Sequence, residues 1–128
     1  MSEIENIIDE LLNEEQNIYG VAIIGKDGSL VTQTDNWDIS GDLGKINELI
    51  AAEEGVGRIE IQGIRYMVVE NTPERKIGTN VAGKGHIIIC PVPIGGTGAL
   101  VCYINPQVGP RDALFNAQDF AKKLVDLV

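Results

Sequence analysis

Residues 58–92 read RIEIQGIRYMVVENTPERKIGTNVAGKGHIIICPV, and the fold of the whole chain turns on how this stretch is parsed. Ile59, Ile61, Ile64, Tyr66 and Val68 form a β-branched and aromatic run interrupted by a Gln62-Gly63 turn. Residues 71–74, NTPE, close a hairpin, because Pro73 has no N–H to give a ladder and its fixed φ suits a turn. Gly83-Lys84-Gly85 opens the next run, His86 to Cys90, which is apolar on both faces and so predicts a central strand. Residues 93–98, PIGGTG, turn that strand into a partner running from Ala99 to Ile104. The region is expected to be an antiparallel meander of short strands.

Upstream, Ser2 is a candidate N-cap with Glu5 completing a capping box. Ile4, Ile7, Ile8, Leu11 and Leu12 follow at helical spacing, and the helix is expected to end near Asn13. Glu3, Glu5, Asp9 and Glu10 make its other face acidic, which suits the macrodipole at an N-terminus. Residues 19–24, YGVAII, predict a strand. The KDGS turn at 26–29 returns it as a second strand from Leu30 to Thr34. The loop at 35–40 holds the only tryptophan, Trp37, which is either a lid over the core or an anchor for a partner.

Ser40 or Asp42 caps a helix through about Ala52, with Leu43, Ile46, Leu49 and Ile50 on one face and Gly55 as a left-handed C-cap. Past the meander, Gly109 and Pro110 introduce a last helix whose inward stripe is Ala113, Leu114, Ala117, Phe120, Ala121, Leu124 and Leu127. The expected fold class is α+β, an α/β sandwich. A central antiparallel sheet carries the N- and C-terminal helices on one face and the shorter helix on the other. At 128 residues and 44% hydrophobic content, one domain over 1–128 is expected.

No apolar run approaches the roughly 20 residues of a membrane span, and the acidic start does not resemble a signal peptide, so a cytoplasmic protein is expected. A net charge of −9 repels phosphate and argues against nucleic acid as a partner. Arg75, Lys76 and Lys84 leave room for a local basic patch. Cys90 and Cys102 flank the Gly95-Gly96 turn as possible cross-strand neighbours. A disulfide is geometrically open to them, but buried free thiols are expected in a reducing compartment. No Cys or His stands at metal-ligand spacing, so neither metal nor cofactor is expected.

Residues 78–85, GTNVAGKG, come within one residue of a phosphate-binding loop. Gly85 stands where a hydroxyl would bind Mg²⁺, and the sequence continues as strand, so no helix N-terminus aims its amides at a phosphate. His86 is the sole histidine and is expected to be structural. The carboxylates lie on helix faces where solvation accounts for them, and no enzyme is expected.

GIRYMVVE (63–70), a charged turn and AGKGHIII (82–89) together resemble the profilin family, in its archaeal branch. The resemblance extends over the whole chain through the short N-terminal helix, VAIIGKDGSL (21–30), the meander and the C-terminal helix. It implies an actin-monomer-binding protein that regulates polymerisation in the cytoskeleton by occupying one end of the subunit. The implied contacts are Arg65, Met67, Val68 and Glu70 on the first strand, then Arg75, Lys76, Lys84, His86 and Ile88 on the turn and second strand. Val108, Gly109, Arg111, Leu114, Phe115, Gln118 and Asp119 follow at the last helix, where Leu114 reads equally well as core.

In that family a polyproline ligand stacks on aromatics of both terminal helices. Here the helices offer Ile4, Ile7, Lys123 and Leu124, which weighs against such a ligand or moves it to Trp37 or Tyr19. The negative charge weighs equally against phosphoinositide binding. A monomer is expected. The competing reading is a roadblock- or longin-like module that dimerises and regulates small GTPases, and oligomeric state separates the two.

Overall fold

A computed structural model describes residues 3–52 and 57–128. The chain runs α1 (Glu3–Glu14), β1 (Ile18–Ile24), β2 (Leu30–Gln33), α2 (Leu43–Ala51), β3 (Arg58–Ile61), β4 (Ile64–Asn71), β5 (Lys76–Thr79), β6 (His86–Val92), β7 (Gly98–Ile104) and α3 (Leu114–Lys122). Short 3₁₀ turns, Ser40–Asp42 and Pro110–Asp112, lead into α2 and α3. The strands form one seven-stranded sheet in the order β2-β1-β7-β6-β5-β4-β3, with every neighbouring pair antiparallel. The α+β sandwich expected from the sequence is the fold of this chain.

Period-two alternation sends the strand side chains into two separate cores. On one face Ile8 and Leu11 of α1, and Leu114, Ala117 and Phe120 of α3, pack over Val21, Ile77, Ile88 and Leu100. On the other, Ile46, Leu49 and Ile50 of α2 cover Ala22, Ile24, Tyr66, Ile87 and Val101. The two terminal helices are joined directly, since the Asn116 amide donates to Glu15 at 2.9 Å and Lys123 lies 3.9 Å from Glu10. Trp37 is 4% exposed and closes the α2-side core as a lid. A methyl on Gly20 would come within 2.8 Å of Trp37 Cβ, so only glycine lets the loop press onto β1.

The Gln62-Gly63 turn forms as read, with φ of 52° and 77°, the left-handed pair that matches strand twist in a tight hairpin. β5 was not expected; its residues belonged to a charged turn in the sequence reading. Gly78 explains the difference. A Cβ there would lie 2.9 Å from Ile87 and 3.0 Å from Tyr66, so the glycine that weakens the strand signal is what allows β5 to pack. β6 also runs past Cys90 to Val92. Pro91 is tolerated because β5 pairs with β6 only as far as Ile89, leaving its missing N–H without an acceptor to serve.

α3 stops at Lys122, earlier than the apolar stripe suggests. Lys123, Leu124 and Leu127 bond back to residues three earlier, so the end tightens into 3₁₀-type turns while Leu124 stays fully buried. The Ser2 capping box and the Gly55 C-cap lie outside the described residues.

Cys90 and Cys102 are both free and buried. They are not opposite each other: Cys90 pairs with Leu100 and Cys102 with Ile88. Burial pushes the Cys90 thiol from 9.0 up to about 12, and raises Cys102 and the Tyr66 phenol as well. A folded value above the unfolded one means that above pH 9 the unfolded chain releases protons the native state keeps. Stability is therefore expected to be intact below about pH 9 and to fall steadily through pH 12, read as the urea midpoint against pH. Both thiols should resist a disulfide reagent at pH 8 until the chain unfolds.

Candidate functional site

The α1/α3 face of the sheet is covered only in part. β4 extends beyond the helices, and there Met67 is 52% exposed and Val69 58% exposed. A bulge between Val68 and Glu70 makes this surface. Simple alternation from buried Tyr66 would turn Glu70 toward α2. With Val69 as the extra residue, Glu70 instead pairs with Ile77 and stands on the face that carries α3.

Glu70 there receives two arginines. Arg111 Nη2, from the turn before α3, donates to Oε1 at 2.6 Å, and Arg75 Nε, from the β4–β5 turn, donates to Oε2. Arg111's hydrogen bond, reinforced by the one from Arg75, holds the carboxyl below its ordinary value against the opposing effect of partial desolvation. Arg75 also lies 3.6 Å from Glu74. One carboxylate thus ties the hairpin to the start of α3 and leaves Arg111 mostly exposed.

Phe115 stands on the first turn of α3 and is 78% exposed, an extreme value for a phenylalanine. It borders a groove of about 570 Å³ between α3 and the Pro93-Ile94 turn, together with Ile94, Gln118, Asp119 and Lys122. Pro93 follows a cis peptide bond. Met67 and Val69 are thus exposed on the strand that carries the Glu70–Arg75–Arg111 cluster, and Phe115 and Ile94 border a groove with Glu74, Asp119 and Lys122.

The structure sorts the residues expected at this site. Arg65, Met67, Lys84, Gly109, Arg111, Phe115 and Asp119 are exposed, and Val68, Glu70, Arg75, Val108 and Gln118 are partly so. Val68 faces the α2-side core. Four expectations are corrected. Ile88 is wholly buried under the terminal helices and Leu114 is core beside it. Lys76, 3% exposed, turns inward to the Ala52 and Thr72 carbonyls and the Asn71 side chain. His86 is buried against Val108 and Thr79. Val69 and Ile94 went unrecognised. Strand alternation gave no sign of a bulge at Val69, and Ile94 read only as part of a turn.

Tyr19 and Trp37 do come together, with Tyr103. Trp37 stacks on Tyr103 at 5.9 Å and Tyr19 meets Tyr103 edge-on at 6.4 Å, beside a cleft of about 460 Å³ on the α2 side. Trp37 presents almost no ring surface, whereas Tyr19 is about half exposed. Between the terminal helices Lys123 lies over the Phe120 ring at 4.0 Å, and Phe120 itself is core. Among the described residues no cluster of His, Cys, Asp or Glu could hold a metal ion, and no helix is long and apolar enough to cross a membrane.

No family model matches the chain. It is 63% identical to Loki profilin-1 of Lokiarchaeum sp. (strain GC14_75), the match covering all of both chains. A solved LokiProfilin2/rabbit actin complex contains a chain 61% identical to it over the full length of both, with a TM-score of 0.97. A roadblock/LC7 domain from Streptomyces avermitillis superposes with a TM-score of 0.61 at 14% identity, over 96% of this chain and 99% of that one, a likeness of fold alone. Identity of this order over the entire length leaves one conclusion, that the chain belongs to the profilin family.

Proposed function

We propose that this protein binds monomeric actin through the face built by β4, β5 and the start of α3, and so regulates actin polymerisation as a stoichiometric cytoplasmic partner, not as an enzyme. A single profilin-like domain over residues 1–128 does this without a cofactor. The observation that carries the reading is the exposure of Met67, Val69 and Phe115 on β4 and α3, the two elements that the Glu70–Arg75–Arg111 cluster ties together; large exposed apolar groups beside charges are the usual plan of an interface. It is supported by the near-identical backbone of the relative solved in complex with rabbit actin. A standard interface would bury roughly 800 Å² on this side.

The contact set is Arg65, Met67, Val69, Glu70, Arg75, Lys84, Val108, Gly109, Arg111, Phe115, Gln118 and Asp119. The dimeric GTPase-regulating reading is not favoured, and a monomer by sedimentation is the expected state. Neither a phosphoinositide nor a proline-rich ligand is assigned. α1 carries no aromatic residue and Phe120 of α3 is core, so the two terminal helices share no aromatic platform, and at the Tyr19–Trp37 cleft the indole is the lid of the core.

The charged rim provides the test. Replacing both Arg111→Glu and Lys84→Glu should weaken binding in a pyrene-actin assembly assay by about tenfold, more strongly at low salt. The melting temperature should stay within about 3 °C, because both side chains are on the surface. If the unaltered protein leaves actin assembly unchanged at every concentration, the proposal is wrong.

A further inference from the structure

One buried side chain bonds the sheet to the backbone of the loop that brings Arg111 and Phe115 to the partner face. His86 opens β6, and its register partners across the sheet are Thr79 and Ile104, with Met67 next to Thr79 on β4. These residues form one row on the α3 side of the sheet, Met67 exposed at its outer end and His86 covered. His86 Nε2 lies 2.6 Å from the Val108 carbonyl oxygen, and Nδ1 lies 3.1 Å from the Thr79 hydroxyl. A carbonyl oxygen only accepts, so Nε2 carries the hydrogen and donates it.

The Val108 side chain also leans on the α3-side core and Asn105 N donates to the Asn17 carbonyl at 2.8 Å, but among the described residues the backbone of Val108 and Gly109 makes no other bond to the sheet. Val108 N closes a turn on Asn105 O at 3.3 Å, and Gly109 N bonds to the Asp112 carboxylate at 3.0 Å. Both bonds are internal to the loop. The 3₁₀ turn Pro110–Asp112 then packs over β5 and β6, with Arg111 reaching to Glu70.

We infer that His86 is a positioning residue for the actin face: its Nε2–H bond to Val108 sets the 105–112 segment against β5 and β6, and with it the places of Arg111 and Phe115 relative to Met67. This rests on the actin-binding reading and adds a control point beneath it. His86 touches no partner. An apolar residue in its place would leave the Val108 carbonyl without a donor, and the loop would rise toward water to satisfy it.

The experiment uses the full chain and monomeric rabbit actin. Affinity is measured by calorimetry for the unaltered protein, His86→Phe, His86→Gln and Thr79→Val, each below its own unfolding temperature. Amide exchange is followed at residues 107–112. His86→Phe should lose about tenfold or more in affinity and expose those amides, while His86→Gln, which keeps an N–H donor, should recover to within about threefold. Thr79→Val, which frees the ring at Nδ1, should weaken binding by about threefold, and it decides the matter if His86→Phe does not fold.

A folded His86→Phe with unaltered affinity and unaltered exchange overturns the inference, as does a Gln variant no better than Phe. Failure of the unaltered protein to bind actin is a different result. It sinks the functional reading, and the exchange of residues 107–112 then decides the positioning role alone.

Discussion

Replacing Phe115→Asp is expected to abolish most of the affinity for actin, at least about 2 kcal/mol or some thirtyfold in Kd, without lowering thermal stability. The reason is the ring's position. Phe115 is 78% exposed on α3, at the groove that Ile94 also lines. A large apolar side chain so exposed contributes little to the folded monomer, so an aspartate there removes no core contact. In a complex the same ring would be the residue with most surface to bury. An aspartate would bring a charge into that contact beside Asp119, one helical turn further on.

Val31→Asp is the matched control. Val31 is 44% exposed on β2, at the opposite edge of the sheet from β3, and its change should leave actin binding intact. If the two variants bind actin equally well, the partner face lies elsewhere on this molecule.

The second large effect is on stability and concerns Lys76. Its ammonium group is buried beside the Ala52 carbonyl at 3.3 Å, the Thr72 carbonyl at 3.4 Å and the Asn71 side-chain oxygen, and desolvation lowers its pKa. Ala52 is the C-cap of α2, so this lysine fastens the end of that helix to the β4–β5 hairpin. Lys76→Met keeps the aliphatic stem but strips three acceptors of their donor, an expected loss of about 2 kcal/mol. Lys76→Ala adds a cavity and should lose about 4 kcal/mol. Urea unfolding reads both. A methionine variant as stable as the parent would mean that relief from burying a charge outweighs the three bonds, and the anchoring role would fall.

Much of this fold was legible in residue order. The apolar stripe of α1, the YGVAII and HIII runs and the Gln62-Gly63 turn all reappear where periodicity placed them. So does the division of the helices between the two faces, because each amphipathic stripe needs a sheet to cover. The site was less legible. Arg111, Met67 and Phe115 were identified and are exposed. The family resemblance implies Lys76 and His86 as contacts, although His86 also reads as structural, and nothing local shows that carbonyls converge on them from Ala52, Thr72 and Val108. Val69 was passed over because a bulge depends on how two strands register, not on either strand alone.

The sequence by itself determined, β5 excepted, which segments become helix or strand and which of their faces are apolar, and hence an α+β sandwich with a filled interior and an acidic exterior. These follow from spacing and side-chain chemistry within each segment. Only the tertiary structure decided which polar groups are inside, that Gly78 makes room for β5, and that Glu70 meets both Arg75 and Arg111. Such contacts join residues distant along the chain, and their energies depend on the register and packing that bring them within hydrogen-bonding reach.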